Sequence, residues 1–125
     1  MIRTFVSILV TFAILLGVSI FELQYVSKTF EEFQEIVHIL RQKTDAQTAT
    51  HEDGKVVQEY WASKKKVMHI WLPHTSLQEI DLQLNEAIAF LYVGEYQDAL
   101  PKIDVVIGLA TDIPQSYKLA LKNIL

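Results

Sequence analysis

Four histidines, His38, His51, His69 and His74, are the side chains best suited to holding a metal ion or moving a proton near neutral pH. Their spacing favours neither role. No two of them stand at i, i+4, there is no His-Glu-x-x-His run, and no Glu-x-x-His of the kind that holds paired metal ions inside a helical bundle. Only His69 and His74 can approach one another, across the turn at Pro73 with Glu79 or Asp81 nearby. That is a weak zinc set beside the alternative of turn histidines in solvent. Serine and threonine occur without Gly-x-Ser-x-Gly, and cysteine is absent. Glycines 17, 54, 94 and 108 build no phosphate-cradling loop. The expectation is a protein that is not an enzyme and uses no cofactor or metal.

The other polar features suit binding better than catalysis. Lys64, Lys65 and Lys66 form the only basic run, and on a helix three successive residues fan over roughly 200°. At least one lysine must then lay its stem along the core seam with its ammonium in water. A solvated face is the plain reading of the run; a docking patch for an acidic partner or a headgroup is the alternative. Glu31, Glu32 and Glu35 read as a solvated helix face. Tyr60, Trp61, Trp71 and Tyr92 are either core or the lining of a small-molecule pocket, and Trp71 is either buried or placed at headgroup level.

Residues 4 to 21, TFVSILVTFAILLGVSIF, are eighteen consecutive residues without a charge. As a helix they measure roughly 27 Å, close to the roughly 30 Å hydrocarbon core of a bilayer. Residues 1-21 are therefore expected to be a transmembrane signal anchor in the lipid bilayer. Arg3 and the α-amino group precede the segment; Glu22, Lys28 and the three glutamates follow it. This balance, with the usual behaviour of an N-terminal leader, favours a cytoplasmic N-terminus and an extracytoplasmic remainder. A cleaved secretory signal is the competing reading, with Gly17-Val18-Ser19 as its small-x-small triplet. The apolar run continues past it through Ile20 and Phe21, which favours an uncleaved anchor. Thr4, Ser7 and Thr11 share one face of the segment, and hydroxylated residues there allow close approach of a neighbouring span. They are candidate partner-binding residues, together with Lys64, Lys65, Lys66 and Trp71.

Residues 22-125 are enough for one small domain with a single core. With Arg3 set aside, ten of the chain's eleven lysines and arginines face fifteen acids. That balance argues against nucleic acid as a partner and against broad adsorption onto anionic lipid. The lack of cysteine leaves no disulfide to staple an exported domain.

Breakers are few. From Gly17 to Gly54 there is neither glycine nor proline between, so one helix can run from the membrane to about residue 48. Leu23, Val26, Phe30, Phe33, Val37 and Leu40 repeat at alternating spacings of 3 and 4, an inward seam. RQKTDAQTATHEDG follows as a fraying end and loop. A second helix is expected from Lys55 to Leu72, stopped by Pro73, with Val57, Tyr60, Trp61, Val67, Met68 and Trp71 inward. Ser76 and Glu79 form a capping-box pattern for a third helix, which carries Leu77, Ile80, Leu84, Ala87, Ile88 and Leu91 up to Gly94. A fourth helix from Tyr96 to Ala110 is expected to bend at Pro101 and to end before Ile113-Pro114. A short last helix, Gln115 to Leu125, then turns Tyr117, Ala120, Leu121 and Ile124 to one side. No stretch keeps a period of two. The fold class is all-α: a transmembrane helix continuing into an antiparallel up-down bundle of about four helices plus a short C-terminal helix.

The stretch AIAFLYVGEYQDA, with Gly94, Tyr96 and Ala99, resembles the inter-helix region of a tetratricopeptide repeat. Its closing proline falls late, at Pro114, and no second copy exists to stack on it, so it reads as an ordinary helical hairpin. The leader MIRTFVSILVTFAILLGVSI, the middle QEYWASKKKVMHIWLPHTSLQEID, the hairpin GEYQDAL and the ending IPQSYKLALKNIL together resemble a family of short, single-anchor proteins of spore-forming Firmicutes, the domain of unknown function DUF4363. The resemblance implies architecture and cell type, and no catalytic residues.

The functional expectation is a membrane-anchored, extracytoplasmic helical bundle acting as an accessory or scaffolding subunit for a polytopic membrane protein. A small-ligand-binding sensor acting through a partner is the alternative: with only Met1 to Arg3 inside, a signal would need a partner to receive it. The oligomeric state is left open.

Overall fold

The computed structural model describes residues 1–124; the side chain of Ile124, expected on the inner side of the last helix, lies outside the described part. The described residues form four helices: α1 (Ile2–Asp45), α2 (His51–Met68), α3 (His74–Tyr92) and α4 (Tyr96–Ile124). Among the described residues there is no strand.

α1 is uninterrupted over 44 residues, roughly 66 Å of helix. Its first half is bare: of residues 1–21 only Leu16 and Ser19 are half-buried, and the rest are exposed. From Val26 onward the seam goes inward, with Val26, Phe30, Phe33, Val37 and Leu40 buried and Leu23 half-buried. The buried hydroxyl of Thr44 donates to the Leu40 carbonyl at 2.8 Å, which answers its desolvation within the helix. The helix stops at Asp45, where Gln47 takes the left-handed conformation at φ 60° and lets the Thr48 amide reach back to the Lys43 carbonyl at 2.8 Å.

α2 begins four residues before the expected Lys55. Thr50 is its N-cap: the Asp53 amide donates to Thr50 Oγ1 at 3.3 Å, and the Thr50 amide donates to Asp53 Oδ2 at 2.9 Å. Gly54 is thus not the close of a loop but a buried first-turn residue. α2 ends at Met68 rather than Leu72: the amides of Ile70 and Trp71 turn to the carbonyls three residues back, Val67 and Met68, and the pre-proline bias keeps Leu72 out of the helix. Residues 69–72 form a turn that buries Leu72.

The expected Ser76–Glu79 capping box does not form. Pro73, with its fixed φ of −60°, takes the N-cap position, so Ser76 already lies inside the helix and α3 starts at His74 without a side-chain cap. Glu79 accepts from Gln83 Nε2 at 2.9 Å instead. At the other end Gly94, at φ 76°, makes the turn that spacing predicts. Its amide donates to the Leu91 carbonyl and that of Glu95 to the Phe90 carbonyl, the paired bonds of a glycine-terminated helix.

α4 corrects the sequence reading most. It is one helix of 29 residues with Pro101 and Pro114 both inside it, so the break at Ile113-Pro114 and the separate last helix are absent. Proline at 114 removes the amide that would bond the Ala110 carbonyl. Gln34 Nε2 on α1 supplies the missing donor, 2.9 Å from that carbonyl. A partner on another helix thereby satisfies the group that proline orphans.

α1 packs on α2 and α4, and α3 packs on α2 and α4. Contacts Glu22–Tyr117, Gln34–Ala110 and Arg41–Asp104 run α1 and α4 antiparallel; Gln58–Asn85 and Lys65–Asp81 do the same for α2 and α3. Trp61, 1% exposed, stands in the middle of the core, its ring centroid 4.9 Å from that of Phe33 and 5.8 Å from that of Phe30. Leu77, Ile80, Leu84, Ile103 and Val106 complete the core around it.

Candidate functional site

The sequence-predicted binding residues fall in two separate places. Thr4, Ser7 and Thr11 lie on one exposed face of α1, together with Ile8, Phe12 and Leu15. Among the described residues no other part of the chain covers this face. Lys64, Lys65, Lys66 and Trp71 belong to the bundle, at the C-terminal part of α2 and the turn after it.

The lysine run is divided in its roles. Lys65 Nζ lies 2.6 Å from Asp81 Oδ2 on α3, while the other oxygen of that carboxylate accepts from Trp61 Nε1 at 2.8 Å. Asp81 thus gives the buried indole the acceptor it needs, and Lys65 balances the charge. Lys64 stands over the Tyr60 ring, 5.7 Å from its centroid. Lys66 is exposed. Tyr60 turns its hydroxyl to α1, donating to Glu32 Oε2 at 2.9 Å, and its burial raises the phenol pKa well above the usual value. Of the three glutamates read as a solvated face, Glu32 is therefore half-buried and bonded.

Trp71 is half-buried against α1. Its ring meets Tyr25 edge-on at 5.6 Å, and Tyr25 in turn lies 6.4 Å from Phe21, the last residue of the apolar segment. This ladder sets the α2–α3 turn at the level where the apolar segment ends. Beside it opens a groove of about 540 Å³, lined on three helices and a turn by Glu22, Trp71, Leu72, Ile113, Tyr117 and Leu121 among others. Tyr117 donates to Glu22 Oε2 at 3.2 Å across this groove. Burial, aided by that carboxylate, pushes its phenol up to about 12. The groove is apolar within and carries Glu22 and Asp112 on its wall, so it suits an elongated apolar molecule with a hydroxyl or cationic end.

His69 and His74 do meet, stacked with centroids 5.0 Å apart. Asp81 is engaged by Trp61 and Lys65, and Glu79 by Gln83. Among the described residues no group of three histidines and carboxylates could hold a metal ion.

Sequence reasoning missed the Asp81–Trp61–Lys65 set and the Gln34–Ala110 bond. Trp61 and Lys65 stand at i, i+4, a legible signal that their polar atoms share a partner; nothing local marks Asp81 as that partner.

Together these features define an all-helical domain, four helices around one core, with a long apolar helix at its N-terminus. The chain belongs to the family described as Domain of unknown function (DUF4363), which it matches over residues 19–124. The match covers the whole bundle and begins in the last turn of the apolar segment. No curated protein and no solved structure matches the chain.

Proposed function

We propose that this protein is a single-pass, membrane-anchored accessory or scaffolding subunit that holds its bundle on the extracytoplasmic side and binds a polytopic membrane protein. The observation that carries the reading is the bare first half of α1. It is a helix long and apolar enough to cross a membrane, none of that window is buried in the bundle, and it continues into the core seam without a break. Phe5, Phe12 and Phe21 are 64%, 58% and 63% exposed, an apolar surface that only lipid or another protein would cover at low cost. Lipid covers most of its girth without difficulty. The face of Thr4, Ser7 and Thr11 is the part better matched to another span, because hydroxylated and small positions permit close packing and interhelical hydrogen bonds of roughly 0.5 to 1 kcal/mol each.

Replacing Thr4, Ser7 and Thr11 by leucine should leave insertion and helicity intact but reduce co-purification with a membrane partner. Unchanged recovery of every co-purifying membrane protein would overturn the intramembrane interface. A second reading, a small-ligand-binding module acting through such a partner, is favoured by the 540 Å³ groove beside Trp71. Native mass spectrometry of the purified full chain distinguishes it: a bound small molecule lost in Ile113→Trp supports the ligand reading, and a bare chain counts against it.

A further inference from the structure

The C-terminal end of α4 reaches past the point where α1 leaves the apolar segment. Lys118, Leu121 and Lys122 lie in one cleft with Leu16, Ser19, Ile20 and Leu23 of α1. Leu16 stands six residues before Glu22, the first charge after the segment, which is roughly 9 Å along the helix axis. Leu16 and Ser19 are also the only half-buried residues of the first 21, so α4 is what covers them. If residues 4–21 cross the bilayer, the last turns of α4 cannot stand clear of it.

The side chains there suit that depth. Leu119 is 61% exposed, and Ile70 on the adjoining turn is 72% exposed, so the bundle presents bare apolar side chains at its anchor end. Lys118 and Lys122, four residues apart, share one face of α4, and both are exposed. Arg41, Lys43, Lys65 and Lys102 are each paired with a carboxylate; among the described residues Lys118 and Lys122, like Arg3, Lys28, Lys55, Lys64 and Lys66, are in no salt bridge. In a chain of net charge −4 these two cations stand beside the apolar segment's end. Apolar side chains flanked by lysines form the amphipathic pattern of an interfacial helix, in which stems lie in the acyl region and ammonium groups reach the phosphates.

We infer that the C-terminal turns of α4 are a second membrane contact, seated in the headgroup layer of the leaflet from which α1 emerges, with Lys118 and Lys122 on lipid phosphates; this rests on the reading that residues 4–21 span the bilayer. The bundle is then held at two points and cannot swivel freely on its anchor. The contact is local to one helix end: salt screens the acids of the far end of the domain, while Glu22 and Asp112 on the neighbouring groove are the nearby charges that Lys118 and Lys122 must outweigh.

The chain lacks cysteine, so a single thiol can carry an environment-sensitive dye. The full chain bearing Leu119→Cys, Phe12→Cys or Ala46→Cys is placed in phosphatidylethanolamine/phosphatidylglycerol vesicles containing lipids with a nitroxide either near the headgroup or deep in the acyl chain. The probe at 119 should be quenched mainly by the shallow nitroxide, the probe at 12 mainly by the deep one, and the probe at 46 only by aqueous iodide. Adding Lys118→Glu and Lys122→Glu should cut shallow quenching at 119 by roughly twofold or more and open that probe to iodide. Quenching at 12 with an aqueous probe at 119 would overturn the inference and leave the anchor standing. Absence of lipid quenching at 12 would overturn both. A probe at 119 shielded from iodide without nitroxide quenching would show that a second copy or a protein partner covers α4, and would also overturn it.

Discussion

At Gly54 the missing side chain is what lets α2 lie against α3. A Cβ built there would stand 2.7 Å from Ile88 Cγ1 and 3.5 Å from Leu91 Cδ1. Gly54→Ala would gain about 1 kcal/mol of helix propensity and lose roughly 1–3 kcal/mol to overpacking, so the full chain in detergent should melt at a lower temperature. Gly54→Ala combined with Ile88→Ala should be less destabilised than the sum of the two single changes. A higher melting temperature for Gly54→Ala alone would show that the contact is not tight. One residue earlier, the carboxyl of Asp53 is held below its ordinary pKa, chiefly by the Thr50 amide and further by Lys43. A lowered folded pKa contributes stability that is present above the unfolded value and is lost as pH falls through the folded one. Stability should therefore drop below about pH 4, and part of that drop should vanish in Asp53→Asn. Thr50→Ala should cost roughly 0.5–2 kcal/mol at pH 7 by chemical denaturation. These two residues were half legible. The Thr-x-x-Asp spacing is a recognisable cap, but Thr, Asp and Gly together also read as a loop, and only the contact with Ile88 shows why a glycine sits inside a helix.

The continuity of α4 depends on a donor from α1. Pro114 leaves the Ala110 carbonyl without an intrahelical partner, and Gln34 fills the gap at 2.9 Å. Gln34→Leu should cost roughly 1–2 kcal/mol, since it strands that carbonyl in a half-buried site. In a Pro114→Ala background the helix regains its own amide, so the same Gln34→Leu change should cost clearly less. The coupling of this double-mutant cycle, read from denaturant midpoints at unchanged slope, is the check; strict additivity would mean that Gln34 does not cap the helix. This element shows where local reading fails. Pro114 is a breaker in any short window, and the residue that rescues it is far away in sequence. The ends of α1 and α3, by contrast, were legible within a few residues, because Gly94 and the switch to polar composition act locally. The inward seam of α1 was legible too, since spacings of 3 and 4 over five turns leave one face to bury.

For the whole molecule, hydropathy and breakers were enough for the all-helical class, while the family came from the resemblance of four sequence stretches and is matched over residues 19–124. What they could not supply is which surfaces stay open once the helices pack. The structure leaves three such surfaces near one end: the bare half of α1, the groove beside Trp71, and the lysine-flanked end of α4. All three make sense if the apolar segment lies in a bilayer and the bundle stands outside the cell. The opposite end offers the place to test it. Ala46 at the far turn is exposed with ordinary backbone geometry, and the chain has no other thiol. Cells expressing the full chain with Ala46→Cys are treated with a membrane-impermeant maleimide before and after lysis, and the membrane and soluble fractions are compared. The expected result is labelling of intact cells, in the membrane fraction, by a chain that keeps its N-terminal residues. Labelling only after lysis, or recovery of the chain in the soluble fraction, would contradict the anchored extracytoplasmic bundle.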